Sequence, residues 1–252
     1  VATANAVSYV GAIPHFVDAN FENLGIDMER LGSYLNQVCI TNKYGKTINS
    51  ETGRKIAAII CVHTFGHPID MDSLIKISKK FKIPIIEDAA ESLGSIYKQC
   101  HTGTHGLIGV FSFNGNKIVT CGGGGALITN SKKIATKLKH LSTTAKKPHP
   151  WNFDHDQTGY NYRMPNINAA LGCAQLENLP KVIEKKRNLA LRYAESFRGF
   201  KGGKIFIEPS YATSNYWLNL FLLDSSNKNT RDLLLKSTNK KNLMTRPAWT
   251  LM

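Results

Sequence analysis

The chain has 252 residues, of which 42% are hydrophobic and 20% charged, an ordinary composition for a globular protein with one large domain or one domain plus part of another. Lysine and arginine (32) outnumber aspartate and glutamate (18), which gives a net charge of +14. The lysines are spread along the chain without a recognition motif, so we expect a solvated basic surface rather than a specific nucleic-acid site.

Apolar and polar segments alternate in a way that predicts an α/β fold with a mostly parallel sheet. In chain order the pattern predicts strands over 12–18, 55–63, 84–87, 110–113 and 126–129, and helices over 27–35, 70–81 (capped by Asp70) and 132–141. Residues 142–162 have little periodicity and are predicted to be a long functional loop. A helical region over 166–197, interrupted at Pro180, follows.

The C-terminal part, with apolar runs at 205–207 and 216–223, predicts the start of a smaller αβ domain. We therefore expect a large domain over residues 1–180 and a linking helix with a partial small domain over 181–252. The chain starts without Met and ends without a polar tail, so we expect a fragment of a longer protein. It has no apolar stretch of about 18 residues and no leader, which predicts neither a membrane span nor export.

One lysine stands where a surface lysine is not expected. Lys117 lies between apolar runs (108–113 and 118–119) and is followed by Gly122 to Gly125. Burying an ammonium is costly unless it is paired or used, and lysine can serve as a nucleophile toward carbonyl carbons. Another apolar run, 83–86, ends in the acidic pair Glu87–Asp88. A buried lysine and a carboxylate at a strand end are the minimum constellation for a pyridoxal phosphate (PLP) enzyme.

Four segments in order carry a family resemblance: Glu87 to Ser95, Phe111 to Lys117, Gly122 to Gly125, and Gly159 to Asn166. The chain resembles the DegT/DnrJ/EryC1/StrS family, which are PLP-dependent nucleotide-sugar aminotransferases of fold-type I. The resemblance extends over nearly the whole chain. It implies that the family's phosphate loop lies before Val1, outside this sequence.

The resemblance implies a role for each matching residue. Lys117 would bind PLP as a Schiff base and then move a proton. Asp88 would pair with the pyridinium nitrogen, Ser112 would bind the phosphate, and Asn161 would reach the phosphate of the neighbouring subunit. Glu91 stands where many relatives have Gln or His near the phenolic oxygen of the ring, so its role stays open.

Each of these positions also has a simpler interpretation. Lys117 could extend to water from a strand end, and Asp88 could cap a helix. Glu91 could be a surface residue, Ser112 a buried hydroxyl bonded to backbone, and Asn161 a turn residue.

The histidines and cysteines do not predict a metal site. His63 and His67, and Cys100–His101 with His105, have suggestive spacings, but glycine or proline interrupts each segment and no further ligand completes either set. The five cysteines lack a C-x-x-C pair, which favours buried thiols in a reducing, cytoplasmic setting over disulfides.

The resemblance implies transfer of an amino group to the keto carbon of a nucleotide-linked 4-keto-6-deoxy sugar by a homodimer, with glutamate as the expected donor. Segments 114–117 and 246–249 are similar to the branch that acts on UDP-4-keto-6-deoxy-N-acetylhexosamines. Two alternatives stay open: a sugar dehydratase of the same fold, which usually has His in place of the lysine, and a non-catalytic regulatory protein that keeps the fold.

Overall fold

The computed structural model describes residues 1–42, 44–224, 227–250 and 252. Its helices are α1 (Ala2–Tyr9), α2 (Met28–Val38), α3 (Met71–Phe81), α4 (Lys132–Ser142), α5 (Asn166–Ser196) and α6 (Lys228–Lys240), with a 3-10 turn at Thr64–Gly66. Its strands are β1 (Cys39–Thr41), β2 (Thr47–Asn49), β3 (Ile59–Val62), β4 (Ile85–Asp88), β5 (Ile96–Tyr97), β6 (Cys100–His101), β7 (Ile108–Ser112), β8 (Gly125–Ile128), β9 (Gly203–Ile205), β10 (Ala212–Thr213) and β11 (Phe221–Leu223).

The chain divides into two compact units. The larger comprises residues 17–187 and 208–217, and the smaller comprises residues 1–16, 188–207 and 218–252. In the smaller unit β9 pairs antiparallel with β11, and Phe197, Phe200 and Phe221 pack ring against ring. The domain boundary expected at residue 180 stays a prediction for the full-length protein.

The central sheet of the larger unit has the strand order β3-β4-β7-β8. Strands β3, β4 and β7 are parallel, and β8 runs antiparallel to β7, so the expectation of a mostly parallel sheet is confirmed. Parallel strands bring their carboxyl ends to one edge of a sheet, where α/β proteins commonly place their ligands. Asp88 ends β4 and Ser112 ends β7 at that edge.

Helices α2 and α3 supply the apolar side of this unit. Asp27 caps α2 by accepting a hydrogen bond from Arg30 N, and Asp70 caps α3 by accepting one from Ser73 N. Their inward faces join the sheet in a core cluster of buried side chains: Leu31, Leu35, Ile59, Cys61, Ile69, Met71, Leu74, Ile83, Ile85 and Tyr97. This apolar base fixes the strands whose ends carry the polar residues.

Three predicted elements differ from the structure. Residues 12–18 are not a strand, because Pro14 lacks an N–H and Ile13 and Phe16 lie exposed rather than packed. Helix α5 continues through Pro180, since a proline removes only one hydrogen bond of a long helix. Only Phe221–Leu223 of the run 216–223 is a strand, and Tyr216 and Trp217 belong to the larger unit.

Candidate active site

Asp88 is positioned by the middle of the parallel sheet. It pairs in register with Val62 of β3 and Val110 of β7, and its Oδ1 accepts a hydrogen bond from Ala90 N at 3.1 Å. The half-buried carboxylate therefore stands at the edge of the sheet, followed by the fully buried Ala89. Asp88 thus stabilises the turn that follows β4 and also places a carboxylate at the edge of the sheet.

Lys117 lies in the loop between β7 and β8, and its side chain is only 14% exposed. Its Nζ is 3.6 Å from Glu91 Oε1, and the Glu91 side chain is 13% exposed. The structure thus brings two of the predicted site residues together as a largely buried ion pair. An ion pair between exposed side chains contributes little to stability. In a buried pair, removing one partner leaves the other charge buried and unpaired, which is strongly destabilising.

The backbone holds the Glu91 carboxylate in place. Its Oε2 accepts a hydrogen bond from Phe65 N at 2.8 Å, and Phe65 itself has a left-handed φ of 57°, a conformation that costs energy for a bulky side chain. Burial raises the pKa of Glu91, opposed by the Phe65 N–H and by Lys117. Glu91 is therefore an oriented carboxyl group that accepts a proton more readily than an exposed glutamate does.

Sequence reasoning missed a third member of this cluster, Trp217. Lys117 Nζ lies 4.2 Å from the centroid of the Trp217 ring, and the indole N–H donates to Asn116 O at 2.7 Å. Trp217 was expected in a strand of the small domain. No local signal marks it, because it lies about a hundred residues from the lysine loop in the chain.

A second missed residue, Glu87, lies beneath the site. It is fully buried, and its Oε2 accepts hydrogen bonds from His63 Nε2 at 3.0 Å and Gly103 N at 2.7 Å. Its Oε1 accepts from His105 N at 2.7 Å and from Gly106 N. Burial raises the pKa of Glu87, but the imidazoles of His105 and His63 and the backbone N–H groups outweigh it and hold the pKa well below its usual range. The acidic pair in the sequence was the available signal.

The predicted phosphate ligand Ser112 ends β7, and its Oγ accepts a hydrogen bond from Asn114 N at 3.3 Å. The glycine run faces it through the β7–β8 pairing, in which Ser112 is opposite Gly125. A Cβ at Gly125 would meet Phe111 O at 2.4 Å, whereas Gly123 has open space around it. The turn thus needs glycine at the strand pairing and leaves room beside it.

Asn161 lies exposed in the loop after α4. Its Oδ1 accepts from Arg163 Nη1 at 2.9 Å, and Arg163 Nη2 donates to Thr143 O at 3.2 Å. In the described part of the chain these contacts tie Asn161 to its own loop, and no hydrogen bond joins it to the Lys117 cluster. Two of the predicted site residues, Lys117 and Glu91, are therefore in direct contact, and Asn161 is not in contact with them.

The histidines that suggested metal ligands have other partners. His63 bonds Glu87 and accepts a hydrogen bond from Ile69 N at 3.3 Å, and the His67 ring meets the Tyr216 ring edge-on at 5.2 Å. No group of three or more histidine, cysteine or acidic side chains among the described residues could hold a metal ion. The five cysteines are all thiols, but the expectation that they are buried is wrong for Cys100 and Cys173, which are exposed.

The larger unit is thus an α/β fold with a lysine and carboxylates near the carboxyl edge of its parallel strands. A DegT/DnrJ/EryC1/StrS aminotransferase from Brucella abortus superposes with a TM-score of 0.81 at 28% identity, over 94% of this chain and 60% of that one. The fold is therefore that of the fold-type I transferases. The DegT/DnrJ/EryC1/StrS aminotransferase family matches residues 1–252, and the chain belongs to it.

Two curated relatives share 34% of their residues with the chain over 249 positions. EpsN of Bacillus subtilis (strain 168), which carries the provisional name pyridoxal phosphate-dependent aminotransferase, is matched by 99% of the chain and over 61% of its own length. GDP-perosamine synthase of Escherichia coli O157:H7 is matched by 99% of the chain and over 62% of its own length. The chain thus spans about three fifths of these relatives. No described helix is long and apolar enough to cross a bilayer.

Proposed function

We propose that this chain is part of a PLP-dependent aminotransferase that moves an amino group, from glutamate, to a nucleotide-linked 4-keto-6-deoxy sugar. The observation that carries the proposal is the buried contact of Lys117 Nζ with Glu91, at 3.6 Å, beside the strand that ends in Asp88. Family membership and relatives named for PLP and for a nucleotide-linked amino sugar support it.

The residues present fit the cofactor. PLP requires an amine for its aldehyde, a carboxylate for its ring nitrogen and a hydrogen-bond donor for its phosphate. Lys117, Asp88 and Ser112 supply these groups from the lysine loop and from two adjacent strand ends. The open space at Gly123 and Gly115, where an added Cβ would meet nothing within 4 Å, leaves the same loop uncrowded. When bound, PLP supplies an electron sink for the carbanion of the amino acid.

Each residue then has a defined task. Lys117 would hold the cofactor covalently and, once released, would carry a proton as base and acid. Asp88 would keep the ring nitrogen protonated by its negative charge, and Ser112 would donate its hydroxyl to the phosphate. Glu91 would hold a proton beside Lys117, and Asn161 would serve the site of the neighbouring subunit.

The proposal extends to the whole protein. The chain would supply most of the large domain (residues 1–180) and the start of the small domain (181–252) of a cytoplasmic homodimer without nucleic-acid or membrane partners. The substrate would belong to the UDP-4-keto-6-deoxy-N-acetylhexosamine branch or to its GDP-linked counterparts. The dehydratase alternative is disfavoured because Lys117 is kept, and the non-catalytic alternative because Asp88 and Ser112 are kept with it.

The test is cofactor attachment in the full-length protein. The purified protein should be yellow, and borohydride reduction followed by peptide mapping should place the pyridoxyl label on Lys117. A Lys117→Arg variant, which keeps the charge, should bind no covalent label. A label on another lysine would overturn the site. Glutamate-dependent release of 2-oxoglutarate with GDP- and UDP-linked 4-keto-6-deoxy sugars, assayed separately, would identify the donor and nucleotide.

A further inference from the structure

The Lys117 ammonium has an aromatic neighbour as well as a carboxylate. Trp217 is 4% exposed, and Lys117 Nζ lies 4.2 Å from the ring centroid. The face of an indole ring attracts a cation, and the attraction grows when both groups are removed from water. Because Glu91 Oε1 is 3.6 Å from the same nitrogen, the ammonium contacts an anion and an aromatic ring at once.

The ring is fixed independently of the lysine. Trp217 N donates to Asn215 Oδ1 at 2.8 Å, and Asn215 Nδ2 donates to Glu91 O and Leu93 O, both at 2.9 Å. Asn215 is fully buried, and a Cβ on Gly66 would approach its Oδ1 to 2.0 Å. The segment that carries Trp217 is therefore bonded to the segment that carries Glu91, so the ring and the carboxylate keep a set separation.

The tryptophan also contacts the loop of the lysine. Its indole N–H donates to Asn116 O at 2.7 Å, so one side chain bonds the residue before Lys117 and faces the Lys117 ammonium. A phenylalanine would keep an aromatic face and lose this hydrogen bond, whereas a leucine would lose both. The two contributions can therefore be separated by substitution.

We propose that Trp217 is a positioning residue of the Lys117 site, whose indole face holds the lysine as a cation beside Glu91. This inference rests on the proposed function in that it gives Lys117 its resting partner before cofactor attachment. For Lys117 to act as a nucleophile, one N–H bond of the ammonium breaks, the proton moves to Glu91 Oε1, and the electron pair stays on Nζ. Burial, which raises the pKa of Glu91, favours that transfer.

The experiment measures lysine reactivity in the cofactor-free, full-length protein. Acetic anhydride labelling of Lys117, quantified by mass spectrometry against the exposed Lys133, is compared at pH 7 and pH 11. A cation-stabilising ring suppresses labelling more at pH 7 than at pH 11, since only the neutral amine reacts and an ordinary lysine is already mostly neutral at pH 11. A ring that merely covers the lysine suppresses labelling equally at both, so the ratio of the two rates separates positioning from packing.

We expect Trp217→Leu to raise the pH 7 to pH 11 labelling ratio of Lys117 by about threefold or more, and Trp217→Phe to stay within about twofold of wild type. Glu91→Gln should also raise the ratio, which shows that the assay senses charge at Lys117. The matched control is Phe153→Leu, because Lys146 Nζ lies 3.6 Å from the centroid of the exposed Phe153 ring. It should leave the Lys117 ratio unchanged.

A second measurement covers the case in which Trp217→Leu does not fold. Fluorinated tryptophans are inserted at position 217 alone by stop-codon suppression, which leaves every other tryptophan of the full-length protein unchanged. Fluorine weakens the negative face of the ring with little change in shape, so the ratio should rise with each added fluorine. If the labelling ratio of Lys117 stays constant across the fluorinated proteins while Glu91→Gln raises it, the proposal is wrong. Since no cofactor takes part, failure here leaves the attachment test of the proposed function untouched.

Discussion

Replacing Glu87 with Gln should destabilise the protein strongly, although the two side chains are nearly the same size. Both carboxylate oxygens of the buried Glu87 accept hydrogen bonds: Oε2 from His63 Nε2 and Gly103 N, and Oε1 from His105 N and Gly106 N. A glutamine must turn its NH₂ group toward one of these pairs of donors, so either orientation leaves donors facing donors.

A change of tautomer cannot rescue the variant. His63 Nδ1 accepts a hydrogen bond from Ile69 N at 3.3 Å, which places the ring proton on Nε2, toward Glu87. Each buried donor left without an acceptor costs about 1–3 kcal/mol, and breaking a buried charged network costs about 3–5 kcal/mol. We expect Glu87→Gln to lower the free energy of unfolding by about 3 kcal/mol or more at pH 7.

Urea unfolding followed by linear extrapolation measures the effect. The control is Asp72→Asn, which removes an ion pair with Lys98 whose two side chains are about half exposed, and it should cost about 1 kcal/mol or less. Because the pKa of Glu87 is held below its ordinary value of 4.5, its contribution is complete above about pH 4.5 and declines as the pH falls below it. The difference between wild type and Glu87→Gln should therefore narrow in acid. A loss under about 1 kcal/mol at pH 7 would refute the reasoning.

Three further predictions concern catalysis, pH dependence and assembly. Asp88→Asn should leave the unfolding midpoint nearly unchanged and lower turnover by about a hundredfold, because the amide cannot supply the charge that keeps the cofactor ring nitrogen protonated; near-normal turnover would reduce Asp88 to a turn residue. Burial lowers the pKa of His67 from 6.5 to about 4, so the unfolded chain takes up the proton first as the pH falls. The free energy of unfolding should therefore fall by about 2 kcal/mol between pH 7 and pH 5. In urea unfolding, His67→Gln should lose less stability over this range, and equal losses in the two proteins would contradict this. Mixing full-length Lys117→Ala and Asn161→Ala subunits should restore part of the activity, because one site of the heterodimer would have neither lesion; inactive heterodimers, verified by mass, would mean that Asn161 does not act across the interface.

The sequence determined the framework of the larger unit because local patterns carried it. The strands predicted over 55–63, 84–87, 110–113 and 126–129 lie within four residues of β3, β4, β7 and β8 at each end. For the three parallel strands the reason is that strands covered on both faces need runs of hydrophobic side chains. Asp70 marked the start of α3 because its side chain satisfies an otherwise unpaired N–H of the first turn. The same short-range logic failed at residues 12–18, where apolar residues lie exposed.

Among the predicted site residues, Asp88 was predicted from an apolar run that ends in an acidic pair, and Lys117 from the cost of burying an ammonium. Ser112 was predicted from the family resemblance, and the structure places it at the end of β7. The contact of Lys117 with Glu91 does not follow from their spacing, because it depends on how the β7–β8 loop returns over the segment after β4.

Only the tertiary structure decided which residues surround the lysine. Trp217 reaches Lys117 because Asn215 donates hydrogen bonds to carbonyl groups of the segment that carries Glu91, more than a hundred residues away in the chain, and accepts one from Trp217 N. Glu87 and Asp88 are neighbours in sequence, yet alternation along the strand buries Glu87 against His63 and leaves Asp88 half-exposed at the edge of the sheet. Such contacts arise from the packing of distant segments, and a periodicity read along the chain contains no information about which distant segments meet.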